Sequence, residues 1–140
     1  MKELDEADVL ARTIYGEARG ESLDGQEAIA SVVLNRLAFS QAKGRYWWGN
    51  SIAEICRKPW QFSCWNENDV NYKIITDIKD NDERFKIAKR IALRALAGFI
   101  PDKTRGSTHY HTKNVRPKWS IGKIPAAIIG GHFFYNDIER

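Results

Sequence analysis

Residues 11–37 read ARTIYGEARGESLDGQEAIASVVLNRL, and two helical patterns meet in them. Upstream, Ala7, Leu10, Ala11 and Ile14 recur at helical spacing, so a first helix is expected from about Asp5 to Arg19, with Gly20 suited to end it. Downstream, Asp24 and Glu27 fit a capping box, and Ala28, Ile29, Val32 and Val33 carry a second pattern on to Arg36 and Leu37. The second helix is rich in small and apolar residues, which predicts a central, buried position. Between the two patterns, Glu17 follows Ile14 by three residues and Ala7 by ten, so helical geometry turns it toward the apolar side. Gly16 and Gly20 flank it and predict a backbone left open to a ligand. A carboxyl half-buried there, with Glu21 one turn on, is expected to hold its proton, as a general acid requires. Spacing alone leaves a second reading open, in which Glu17 is a helix-end carboxylate paired with Arg12 or Arg19.

The rest of the chain adds elements around this pair. A short helix is expected from Ser51, with Glu54 as its cap partner. Residues 57–66, RKPWQFSCWN, read as an aromatic loop. A long helix from Asp82 to Ala97 stacks Phe85, Ala88, Ala92 and Leu96, and Gly98 and Pro101 end it. Beyond it, Ser107–Thr112 alternates and Ile121–Tyr135 is rich in β-branched and aromatic residues punctuated by glycine, which suggests short strands laid on the helices. The fold class is therefore α+β, mainly α, with a small β portion near the C-terminus. A chain of 140 residues buries about two thirds of its surface around one core, so residues 1–140 are expected to form a single domain.

Composition narrows the function. With 43% hydrophobic and 29% charged residues, the chain is neither disordered nor collagen-like. Its net charge of +4 is unevenly spread, being −5 over residues 1–35 and +9 over residues 36–140. No apolar run approaches the roughly 20 residues of a membrane helix, so no stable membrane insertion is expected. The opening Met-Lys-Glu-Leu-Asp-Glu has no apolar leader core, which predicts synthesis in the cytoplasm without a signal peptide. Cys56 and Cys64 lack metal-ligand spacing and read as two free thiols. His109, His111 and His132 could in principle serve a metal-dependent amidase, but their spacing is loose, so neither metal nor cofactor is assigned. The basic residues in 84–94, RFKIAKRIALR, form a polar helix face that is solvated or attracted to an anionic partner. A nucleic-acid-binding module is the rival from another class; it has no reading motif and leaves Tyr15–Glu21 without a purpose, so no nucleic acid is expected.

Taken in order, several segments resemble the SleB/CwlJ-type cell-wall hydrolases, the family of spore cortex-lytic enzymes and some phage endolysins. They are residues 11–37, the Gln61-Phe62-Ser63 stretch, ALRALAG at 92–98, Thr108-His-Tyr-His-Thr112 leading to Trp119, and Ile129-Gly-Gly-His-Phe-Phe-Tyr135. That family is similar to goose-type lysozymes and lytic transglycosylases. The resemblance implies a helical domain whose groove binds peptidoglycan glycan strands and cleaves the MurNAc–GlcNAc β-1,4 bond. Glu17 takes the place of the catalytic acid and base, and Tyr110 that of the tyrosine that steadies it. Glu21, Gln61, Phe62, Ser63, His111 and Trp119 become candidates for substrate binding. His111 departs from the family's usual aromatic pair, which leaves its part open. A lytic transglycosylase is the expected activity, with a hydrolytic muramidase as the alternative. A monomer is the default expectation, and the absence of a leader core suits a phage endolysin that meets the wall after release, or the catalytic domain of a bacterial wall enzyme.

Overall fold

The computed structural model describes residues 5–139; the leader reading of Met1–Leu4 lies outside them. Five helices form the body: α1 (Glu6–Ala18), α2 (Leu23–Lys43), α3 (Ile52–Arg57), α4 (Val70–Asp77) and α5 (Glu83–Leu96). Three short strands follow, β1 (His109–Thr112), β2 (Ala127–Ile129) and β3 (His132–Tyr135). They make an antiparallel sheet in the order β1-β3-β2.

Most helix starts follow local chemistry. Asp5, Ser51 and Asp82 cap α1, α3 and α5 by accepting from Ala7, Glu54 and Phe85 N–H groups. The start of α2 differs from the sequence expectation. Ser22 is the cap, accepting from Gly25 N–H at 3.3 Å, and Asp24 and Glu27 turn outward to Lys103 and Arg94. Helix α4 is absent from the sequence reading. Its eight residues bury only Ile75, too little apolar period to announce a helix.

The apolar pattern nominates α2 as the central helix, but α1 holds that place, packing on α2, α3, α4, α5 and the 3₁₀ turn Ser63–Trp65. Small residues Ala88, Ala92 and Ala95 let α5 approach α1 closely, and Tyr15 meets Phe85 edge-on at 5.9 Å. The first half of α2 is buried nearly all round from Gly25 to Val33; beyond it only Arg36 and Ser40 are buried. Register divides the sheet into two faces. Tyr110 sits opposite Phe134 and Thr112 opposite His132 on one face, whereas His109, His111, Phe133 and Tyr135 share the other. The first face presents Tyr110 to the end of α1. Among the described residues, no helix is long and apolar enough to cross a membrane.

Candidate active site

Glu17 lies in the last turn of α1, half-buried. Neither arginine of the alternative reading pairs with it. Arg12 binds Asp8 at 2.7 Å and the Ile75 carbonyl, and Arg19 donates to the Tyr15 carbonyl and to Asn71 Oδ1 at 2.9 Å. The partners of Glu17 come from elsewhere. The Tyr110 hydroxyl donates to Oε1 at 2.5 Å, the Cys64 backbone N–H donates to Oε2 at 3.2 Å, and Ser63 Oγ stands 3.5 Å from Oε2. Burial, then the negative charge of Glu17, raise the Tyr110 phenol well above its ordinary pKa, so it stays a proton donor at neutral pH. The same two causes raise the Cys64 thiol, which remains protonated beside the carboxylate.

Gly16 explains how the Ser63–Trp65 turn reaches Glu17. A Cβ there would lie 2.6 Å from Cys64 Cβ, 2.7 Å from its Sγ and 2.9 Å from Ile75 Cγ2. Its Cβ side is therefore filled by protein, a use the sequence expectation did not include, while Gly16 and Gly20 both line the cavity beside Glu17. At Gly20 the space is open.

Glu21 goes another way. Its Oε1 accepts from Gly131 N–H at 3.0 Å, and a side chain at Gly130 would meet that oxygen at 2.4 Å. It thus ties the α1–α2 corner to the turn between β2 and β3. His132 Nδ1 lies 3.9 Å from the same oxygen and has no hydrogen-bond partner among the described residues. Burial lowers the His132 pKa against the opposing pull of Glu21 and Glu17, so its ring is held neutral. The ring packs edge-on against Tyr110 at 5.2 Å and also meets Phe134 at 6.1 Å.

The other candidates divide. Gln61 accepts from Arg36 Nη1 at 3.1 Å. Phe62 is fully buried, so its ring offers no face to a substrate; it supports Arg36 and Tyr110 instead. Ser63 is exposed beside Glu17. His111 lies on the opposite sheet face from Tyr110, stacked on Tyr135 and bonded through Nε2 to its hydroxyl at 2.8 Å. Trp119 covers that face, packed edge-on against His109, His111 and Tyr135. Among the described residues no three His, Cys, Asp or Glu side chains converge as a metal site would need.

Cavities flank the Glu17–Tyr110 pair. One of about 320 Å³ is lined by Glu17, Arg19, Gly20 and Asn71. Another of about 290 Å³ is lined by Tyr110, Gln61, Trp60 and Trp119. Trp60 is 74% exposed and sits at φ +69°, a strained conformation that presents its indole to solvent. A larger cleft of about 770 Å³ lies beyond Trp47 and does not include Glu17. Arg36, a lining residue of the second cavity, was not singled out by motif. Helical spacing from Ile29 and Val33 could have found it, because that face is apolar and an arginine on it is anomalous.

A helical body with a carboxylate on one cavity and aromatic side chains lining the next, joined by the Glu17–Tyr110 bond, is an arrangement suited to holding and cleaving a sugar chain. The family model of the cell wall hydrolases matches residues 20–135, and the chain belongs to that family. It is 29% identical over 126 residues to the spore cortex-lytic enzyme of Bacillus subtilis (strain 168), a match covering 90% of this chain and 36% of that protein. Two solved structures share its fold at 25% identity. The catalytic domain of the Bacillus cereus SleB protein superposes with a TM-score of 0.70, covering 96% of this chain and 94% of that one. The catalytic domain of the germination-specific lytic transglycosylase SleB from Bacillus anthracis superposes with a TM-score of 0.71, covering 96% of each. The chain spans about a third of the length of the curated Bacillus subtilis relative.

Proposed function

We propose that this domain degrades peptidoglycan by cleaving the MurNAc–GlcNAc β-1,4 bond as a lytic transglycosylase, with Glu17 as acid and then base. The observation that carries the reading is the setting of Glu17, a carboxyl held by the Tyr110 hydroxyl and the Cys64 N–H, with no cation paired to it among the described residues. Tyr110 anchors Oε1 and the Cys64 N–H orients Oε2, the oxygen taken here to exchange the proton. Oε2 protonates the glycosidic oxygen as the C1–O bond breaks and positive charge develops at C1 of MurNAc. The C6 hydroxyl of the same sugar then attacks C1. Its proton passes to Oε2, a 1,6-anhydro ring closes, and Glu17 is restored to its acid form. No water is consumed.

The position of Glu21 supports this route over hydrolysis. An inverting hydrolase needs a second carboxylate to activate water, and Glu21 is instead occupied by Gly131 and the Gly130 turn. The activity named for the Bacillus anthracis relative points the same way. Trp60, Trp119 and Gln61 line the groove and supply sugar contacts, with Ser63 beside the reacting oxygen. The +9 charge of residues 36–140 favours approach to an anionic wall. The domain acts as a monomer and needs no cofactor.

Replacement of Glu17 by Gln tests the reading. It keeps the shape of the side chain and removes its titratable proton. Clearing of purified peptidoglycan is expected to fall by about 10²–10⁴-fold with circular dichroism unchanged. Clearing at the rate of the unsubstituted protein overturns the assignment.

A further inference from the structure

The cavity beside Tyr110 contains a group that the glycosidic step does not use. Aromatic walls suit a sugar ring, but they give no reason for a buried cation. Arg36 is only 5% exposed, and it lines this cavity with Trp47, Trp60, Gln61, Tyr110 and Trp119. Its guanidinium lies between the rings of Trp48 and Phe62, at 4.9 and 5.0 Å. Nε donates to the Thr108 carbonyl at 2.7 Å and Nη1 to Gln61 Oε1 at 3.1 Å. Both acceptors are neutral. No carboxylate pairs with Arg36 among the described residues. Glu139 and Glu17 act on it only from a distance, Glu139 being bonded to Tyr46 and 3.8 Å from His109, and Glu17 to Tyr110 and the Cys64 N–H.

The remaining nitrogen, Nη2, has no hydrogen-bond partner among the described residues. Yet it is not one of the sealed orphan atoms, which belong to Ser40, Trp48, His132 and Asp137, so it keeps access to the cavity. Burial lowers the Arg36 pKa to about 10, which leaves the charge in place at neutral pH. His109, on the same wall, is lowered to about 4 by burial and by Arg36, and adds no charge. A desolvated guanidinium with an unused donor and no carboxylate paired to it among the described residues is completed by an anion from outside.

We infer that Arg36 makes this cavity an anion subsite that receives a carboxylate carried by a muramic acid unit. That carboxylate has two sources of one chemistry: the lactyl group of a unit without peptide, or the terminal carboxylate of a very short peptide on it. The inference rests on the glycan reading above. It adds that the domain sorts muramic units by charge as well as by glycosidic linkage. Units with a free lactyl group are the product of amide hydrolysis at the peptide junction, so a reaction of that class would supply them.

Monosaccharides test this without cleavage, because they contain no bond between sugars. N-acetylmuramic acid, its methyl ester and N-acetylmuramoyl-L-alanine are titrated against the intact chain, read by the fluorescence of the lining tryptophans. One or both acids are expected to bind at least about tenfold more tightly than the ester, and the tighter acid identifies the source. Arg36→Met is expected to abolish the preference. Should that variant not fold, Gln61→Glu serves, since it offers Arg36 an internal carboxylate in place of the amide. Arg45→Ala, which removes an exposed cation of the neighbouring cleft, is expected to leave the preference unchanged. Equal binding of acids and ester, no binding of any of the three, or a preference lost in Arg45→Ala and kept in Gln61→Glu overturns the subsite. The reading of Glu17 fails by a separate result, lysis that survives Glu17→Gln.

Discussion

Glu17 and Glu21 stand one helical turn apart and finish in different surroundings. Glu17 stays on the last turn of α1, and its partners, Tyr110 and Cys64, arrive from β1 and from the Ser63–Trp65 turn. Glu21 lies past the helix end and is engaged by Gly131 and the Gly130 turn, where no side chain would fit beside it. One carboxylate faces a cavity; the other is fixed into a joint between the helices and the sheet. Spacing already favours Glu17 by turning it toward the apolar side, and the tertiary partners complete the separation. The difference bears on mechanism, because a single available carboxylate suits a reaction that closes a ring on the sugar itself.

Three substitutions test that contrast, in decreasing order of expected effect. Gly16→Ala attacks the support of Glu17. Alanine gains roughly 1 kcal/mol of helix propensity over glycine, but the added carbon meets Cys64 and Ile75 well inside van der Waals distance. Overpacking is expected to win, with a net loss of about 2–3 kcal/mol in urea denaturation and a fall in lysis as Cys64 N–H moves off Glu17. Unchanged stability would show that the turn is not seated on Gly16. Glu21→Ala attacks the joint. It leaves Gly131 N–H without its acceptor and is expected to cost about 2 kcal/mol of stability while the folded fraction yields unchanged products. A change of product would instead place Glu21 in the chemistry. Tyr110→Phe removes one donor to Glu17 and keeps the ring packed on Phe134 and His132. A fall of about tenfold in kcat, with little change in melting temperature, is the expected outcome. Full activity would reduce the hydroxyl to a bystander.

The contrast also shows what the sequence could reveal. Helices α1, α3 and α5 are legible because their caps and apolar periods agree, and Glu17 is legible because its spacing places a carboxylate against an apolar face. The start of α2 is misread because two overlapping segments offer caps; Ser22 takes the cap, and distant cations engage Asp24 and Glu27. Helix α4 escapes notice because a single buried residue, Ile75, sets no period. The Cys64 N–H on Glu17 is a backbone group and leaves no mark in composition, and the purpose of Gly16 emerges only when the turn beneath it is seen. The pairing of Tyr110 with Glu17 spans 93 residues, beyond any local pattern, and only the family resemblance pointed to it. Phe62 is a substrate candidate through the resemblance alone, and a motif cannot tell a groove aromatic from one whose buried ring serves the core.

Mass spectrometry of the soluble products from purified peptidoglycan tests the central claim most directly. If Glu17 acts alone as acid and base, the released muropeptides end in 1,6-anhydro-muramic acid, each lighter by one water than its hydrolytic counterpart. Products ending in reducing muramic acid would contradict it, because they require water rather than the C6 hydroxyl to attack C1.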